Sequence, residues 1–167
     1  MGCDERSCYP QTGNLMIGRQ DKLSATSTCG TERRERYCIL SHLDDNQMES
    51  QKCFWCDSTP AGQRANPRTS HKVNNIVYRW EPPEETKNNQ YRTWWQAQNS
   101  VQNVTIQLDL EAEFHVTHLI ITYKSFRPAA MFIEKSFDWG KTWKITRYFA
   151  SECDKAFPGV HQVSPDP

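Results

Sequence analysis

The residues best equipped for chemistry in this 167-residue chain are its seven cysteines, Cys3, Cys8, Cys29, Cys38, Cys53, Cys56 and Cys153. Cys53-Phe54-Trp55-Cys56 has the C-x2-C spacing of zinc ribbons and dithiol redox sites, where two nearby thiolates grip one tetrahedral ion or exchange one disulfide. With Cys29 and Cys38 a four-cysteine zinc set can be drawn, and His42 offers an alternative ligand. The intervening spacing matches no zinc pattern, and the compartment decides between the readings. In a reducing one the crowding suggests metal; in an oxidising one it reads as a disulfide-stapled loop region. The count is odd, and Cys153 sits alone near the end, so its partner is expected outside this chain.

Asn103-Val104-Thr105 is the N-x-S/T sequon of the chain, a glycosylation signal that favours the oxidising, secretory compartment and hence disulfides. The other reactive side chains show no catalytic arrangement. Histidines stand at 42, 71, 115, 118 and 161 without the H-x-x-x-H or H-E-x-x-H spacing of a metal hydrolase, and His118 is expected to be a hydrogen-bonded core histidine. The G-x-S-x-G nucleophile elbow is absent, and Glu84-Glu85 fall in a charged loop where solvated carboxylates are the rule. The chain is therefore read as a non-enzyme. Ser136-Phe137-Asp138-Trp139-Gly140-Lys141-Thr142-Trp143 resembles the Asp-box hairpin of sialidases and other β proteins. A sialidase would need several such boxes with an arginine cluster and a catalytic acid, so a single box is read as a structural turn. Its Ser and Asp hydrogen-bond backbone amides, Gly140 tolerates positive φ, and a Trp covers the hairpin base.

The elements that must position these residues follow from length, charge and periodicity. A chain of this size can bury roughly 70% of its unfolded surface, enough for one domain with one core. Twenty basic residues balance twenty acidic ones, so no net field favours nucleic acid or an anionic membrane. No apolar run approaches the length of a membrane span. The start, Met1-Gly2-Cys3-Asp4-Glu5-Arg6, is polar, so a secretory leader is read as removed or lost; Arg6 breaks the myristoylation pattern. Residues 1–60 read as irregular and cysteine-tied, 58–72 as a loop, Val73–Trp80 as a strand, and 81–92 as an exposed, mobile, charged loop. Trp94-Trp95 are expected on opposite faces of a strand, one entering the core and the other meeting a loop or partner. From Val101 the period is two. Strands are predicted over 105–110, over 114–123 with both faces covered, over 130–134 and over 142–149, an all-β pattern that argues for an antiparallel sandwich.

Taken together these residues resemble the laminin N-terminal domain, most closely that of the laminin β subunits. The matching pieces are Cys8-Tyr9-Pro10, Gly13-Asn14-Leu15, Ile17-Gly18-Arg19, Ser27-Thr28-Cys29-Gly30, Tyr37-Cys38-Ile39, Ser41-His42-Leu43, Cys53-Phe54, Cys56-Asp57-Ser58, Trp94-Trp95-Gln96, the stretch from Asn103 to Glu111, Phe126-Arg127-Pro128-Ala129 and Asp138 to Trp143. The resemblance implies an extracellular, non-catalytic jelly-roll β-sandwich with a disulfide-rich irregular N-terminal region. It implies a polymerisation module that meets laminin α and γ N-terminal domains in the basement-membrane network, with other basement-membrane proteins or cell-surface receptors as further partners. Calcium is implied as a support of assembly, with no ligand residues assigned. Ser41, His42 and Leu43 are the interface candidates, a polar-apolar patch between crosslinked segments. The family domain is longer and is followed by EGF-like repeats, so residues 3–160 are read as a partial domain and 161–167 as a non-domain tail. Two departures stand out: the family's Trp-Gln-Ser-Glu-Asn reads Trp95-Gln96-Ala97-Gln98-Asn99 here, and the loop at 81–92 is longer. A netrin-like secreted ligand that binds cell-surface receptors is the alternative. Netrin-type domains carry a cysteine before Trp-Gln-Ser, and this chain has Trp94 there.

Overall fold

The computed structural model describes residues 13–40, 51–77 and 93–160. Among these, regular structure is mostly strand, in three antiparallel pairs: β1 (Leu23–Ala25) with β4 (Ile106–Leu108), β2 (Glu35–Leu40) with β3 (Gln51–Cys56), and β5 (Ala130–Lys135) with β6 (Lys144–Ala150). Two short helices, α1 (Pro60–Ala65) and α2 (Cys153–Ala156), and three 3-10 turns complete the list. The chain is all-β in class. It divides into two compact units, Met1–Leu108 and Asp109–Pro167, each taken by itself below. No described helix is long and apolar enough to cross a membrane.

In the first unit the ladders set the frame. β1 pairs with β4 in the register Leu23↔Leu108, Ser24↔Gln107 and Ala25↔Ile106, and the pairing is extended by the Thr26 amide donating to the Thr105 carbonyl at 3.0 Å. The β2–β3 register places Tyr37 opposite Phe54 and Cys38 opposite Cys53. Among the described residues its buried apolar side chains are Leu23, Cys29, Cys56 and Val77, beside buried Ser27, Ser58, Ser70 and His71. So small and polar a core is of the kind that crosslinks must supplement. Cys29–Cys56 and Cys38–Cys53 supply them.

Three expectations for this unit are corrected. Residues 1–60, read as irregular, hold β1, β2 and β3, because these pieces pair as ladders. Residues 58–72, read as a loop on the strength of Pro60 and Pro67, hold α1 and a 3-10 turn over Pro67–Thr69. Each proline sits at the start of its turn, where no backbone donor is lost. Thr59 caps α1 by accepting the Gly62 amide at 3.0 Å, and Asn66 accepts the Arg68 amide at 3.1 Å. Val73–Ile76 is a 3-10 turn, not the start of a strand; Tyr78–Trp80 lie outside the described residues. Val77 is buried and Val73 half-buried while Ile76 is exposed, a spacing that follows helical geometry and not alternation.

The second unit is built on the β5–β6 hairpin, with Met131 opposite Phe149, Phe132 opposite Tyr148, and a bulge at Ile133/Glu134. Phe157, just past α2, packs its ring 4.9 Å from Tyr148 and 6.2 Å from Phe132, fastening the chain end to one hairpin face. The predicted strand at 114–123 is not observed. These residues join no ladder, and Val116, Leu119, Ile120 and Ile121 are exposed, Ile120 by 87%. Alternation creates an extended tendency, but a strand exists only when a neighbour takes its amides, and no described segment does so here.

Candidate functional site

The densest set of directed contacts lies around His71, which is 3% exposed. Its ring stacks on Trp94, centroids 4.1 Å apart and planes 17° from parallel, and its Nε2 lies 3.1 Å from the Tyr37 hydroxyl. Tyr37 in turn stacks on Phe54 across the β2–β3 ladder at 5.7 Å. Burial pushes His71 down to about 4 and Tyr37 up to about 12, so both are neutral at physiological pH and share one uncharged hydrogen bond. The His71 main chain is fixed as firmly as its ring. Its amide donates to Ser58 Oγ at 3.3 Å, and its carbonyl accepts the Gln96 amide at 3.2 Å.

The segment after residue 92 is sewn into this cluster. The Gln96 carbonyl accepts the Cys29 amide at 2.8 Å, so one residue bridges the Cys29 and His71 segments. Trp95 donates its indole N–H to the Ser27 carbonyl at 3.1 Å and lies 3.2 Å from Thr28 Oγ1. The Gln98 amide donates to Ser27 Oγ at 3.1 Å, and Asn99 donates its side-chain amide to the Arg36 carbonyl at 2.9 Å. Trp94 and Trp95 are thus not opposite faces of a strand. Both are half-buried in an irregular segment and both pack inside the unit. Where the sequence departs from Trp-Gln-Ser-Glu-Asn, the contact at Gln98 is made by its backbone, which any residue supplies.

The disulfides answer the question raised by C-x2-C. Residues three apart on a strand point to opposite faces, so on β3 Cys53 and Cys56 cannot converge on one ion. Cys56 turns inward to Cys29, both fully buried, while Cys53 meets exposed Cys38 directly across the ladder. A zinc site built on these four cysteines is thereby replaced by two separate bridges. Gly30 makes the inner one feasible: at φ +68°, a Cβ there would lie 2.5 Å from the Cys56 carbonyl oxygen. Cys153 is unpaired and half-buried. Cys3, Cys8, Ser41, His42, Leu43, Glu84, Glu85 and His161 lie outside the described residues.

A second locked feature is the turn between β5 and β6. The Thr142 amide and hydroxyl donate to the two Asp138 carboxylate oxygens at 2.8 and 2.6 Å, and the Gly140 amide donates to Ser136 Oγ at 2.9 Å. The Thr142 hydroxyl and amide, with the Ser136 hydroxyl donating at 2.8 Å, hold Asp138 down to about 2. Trp139 and Gly140 are successive left-handed residues, φ +60° and +78°, and Trp143 folds its indole N–H onto the Gly140 carbonyl at 3.1 Å. This is the sequence-predicted Asp-box turn. Asn103 is exposed just before β4. His118, expected in a core, is exposed, because the segment carrying it is uncovered on both faces. His71 went unrecognised by sequence reasoning, since no periodicity or spacing marks it.

None of these arrangements presents a nucleophile to a base. Ser58 meets the His71 main chain, while the imidazole is engaged by Tyr37 and Trp94. Among the described residues no group of three or more His, Cys, Asp or Glu gathers. What the geometry does is hold shape: it defines a disulfide-tied β module.

The comparisons make that class specific. The family model for the laminin N-terminal domain (domain VI) matches residues 8–166, and the chain belongs to this family of structural, secreted matrix modules. It is 56% identical over 160 residues to laminin subunit beta-1 of Homo sapiens, covering 95% of this chain and 8% of that protein. It is 53% identical over 161 residues to laminin subunit beta-1 of Drosophila melanogaster, covering 96% and 8%. Netrin-4 of Pongo abelii is 41% identical over 153 residues, covering 92% of this chain and 22% of that protein. The chain therefore spans under a tenth of the length of the β-1 relatives. Its setting is the basement-membrane extracellular matrix.

Proposed function

We propose that this chain serves as the N-terminal polymerisation module of a laminin β-type chain, binding laminin α and γ N-terminal domains to support network assembly in basement membranes. The observation that carries the reading is its identity to β-1 subunits, 53% and 56% over almost its whole length, against 41% to Netrin-4. The rigid cluster around His71 supports it, because a module that binds by shape gains affinity from being preorganised. In this reading residues 3–160 form part of a jelly-roll sandwich, 161–167 are a tail, Asn103 carries a glycan, and Ser41, His42 and Leu43 touch the partner.

The test is chemical crosslinking of the secreted, glycosylated chain to a laminin γ N-terminal domain, and separately to an α one, with Ser41→Arg as the variant. A crosslinked heterodimer that weakens in the variant is expected. An unchanged heterodimer would remove the Ser41 patch from the interface. Absence of any complex, together with saturable binding to receptor-coated cells, would sink the assembly reading and favour a netrin-like ligand. Glycosidase treatment checks Asn103: loss of one glycan mass from its tryptic peptide is expected, and an unmodified peptide overturns that assignment.

A further inference from the structure

The two bridges of the first unit differ in what can reach them. Cys29 and Cys56 are fully buried, and the Ser58 amide donates to the Gly30 carbonyl at 2.8 Å beside them. Cys38 is exposed and Cys53 half-buried. Exchange requires a thiolate to reach a disulfide sulfur, so access separates the bonds kinetically, and exposed bonds are the labile ones. We propose that Cys38–Cys53 is a redox-addressable clasp, opened by a dithiol reductant of the extracellular space while Cys29–Cys56 stays closed.

The electron balance is complete with that reductant. One thiolate of the dithiol attacks Sγ of Cys38, the more exposed residue, forming a mixed disulfide and expelling Cys53 as a thiolate that takes up a proton. The second thiol of the reductant, deprotonated, attacks its own sulfur in the mixed disulfide and releases Cys38, which is protonated in turn. Two electrons pass from dithiol to clasp, and the reductant leaves as a disulfide.

The fold makes the opening reversible. Glu35↔Cys56, Arg36↔Trp55 and Tyr37↔Phe54 lie between the clasp and the inner bridge, and Cys56 remains tied to Cys29 throughout. Tyr37 is held from two sides, by Phe54 and by His71. The bridged Cα atoms lie 4.0 Å apart in a ladder that continues on both sides of the clasp, so the released thiols are expected to stay neighbours. Ile39↔Lys52 and Leu40↔Gln51, beyond the clasp, stay joined through the chain that links β2 to β3.

The experiment blocks pre-existing thiols with N-ethylmaleimide, titrates the native chain with dithiothreitol, and alkylates the new thiols with a mass-distinct maleimide for peptide mapping. Cys38 and Cys53 are expected to label together at about tenfold or more lower dithiothreitol than Cys29 and Cys56. Parallel labelling of both pairs, or earlier labelling of the inner pair, overturns the proposal. Replacing dithiothreitol by oxidised glutathione before alkylation should restore Cys38–Cys53, with two electrons passing to glutathione, and any other pairing overturns the reversible clasp. As a control on folding, Cys38→Ser with Cys53→Ser should keep the Cys29–Cys56 bridge as resistant as in the parent. An inner bridge that becomes freely reducible in the double variant shows that the two are one element and equally overturns the inference.

Discussion

At the scale of single residues, His71 is the position where electrostatics and packing are most tightly joined. Its folded value of about 4 lies below its ordinary 6.5, and burial is the cause. Lowering the pH through 6.5 protonates the unfolded chain first, while the folded chain resists until about 4. Stability is therefore complete above pH 6.5, falls between 6.5 and 4, and has lost this contribution below that window. The loss is on the order of 2 kcal/mol, discounted for partial solvation. Urea denaturation between pH 7 and 4 checks it: His71→Phe should flatten the dependence, whatever its stability at pH 7, and a parent-like slope in that variant would remove His71 as the source. Gly30 is constrained by geometry and not by charge. Gly30→Ala combines a left-handed backbone with overlap onto the Cys56 carbonyl and should cost on the order of 3 kcal/mol, read as a lowered denaturation midpoint.

At the scale of elements, the Asp-box hairpin was legible in the sequence because every bond that closes it comes from residues within eight positions. Ser136, Asp138, Gly140 and Thr142 need no distant partner to find their geometry. The strand expected at 114–123 failed for the opposite reason: alternation is local, but a ladder is not. The cysteine pairing lay between these cases. Six cysteines allow fifteen pairings, and only the β2–β3 register, which puts Cys38 opposite Cys53 and turns Cys56 to the other face, selects among them. His71 and Trp94 meet through neither pattern nor spacing, since their stack at 4.1 Å is a tertiary contact between positions far apart in the chain. Within the hairpin, Trp139 is left-handed yet 80% exposed, so its side chain contributes little to offset its backbone strain. Trp139→Asn keeps the turn, suits a positive φ and should stabilise the second unit by roughly 0.5–1 kcal/mol. Thermal unfolding followed by circular dichroism tests this, and a lowered midpoint would assign the Trp139 ring a packing role.

At the scale of the whole chain, charge and apolar exposure act on the same property. Acidic and basic residues cancel, and the sequence pI is about 6.9, so electrostatic repulsion between copies vanishes near neutral pH. In the second unit Val116, Leu119, Ile120, Ile121 and Phe126 are all exposed within eleven residues. Monomers rarely leave contiguous apolar surface of this kind uncovered, and an extended apolar segment outside any ladder is a template for pairing with another copy. The two effects together predict that self-association of the isolated chain peaks near pH 7 and declines on either side as net charge returns. The acid arm stays above pH 6.5, where His71 has not yet begun to destabilise the fold; the basic arm, up to about pH 9, is free of that contribution. Light scattering across this range should show the maximum, and Ile120→Lys should lower it by breaking the patch and adding charge, with circular dichroism unchanged. Association that rises steadily towards acid pH would instead point to unfolding through His71, and insensitivity to Ile120→Lys would place the sticky surface elsewhere in the chain.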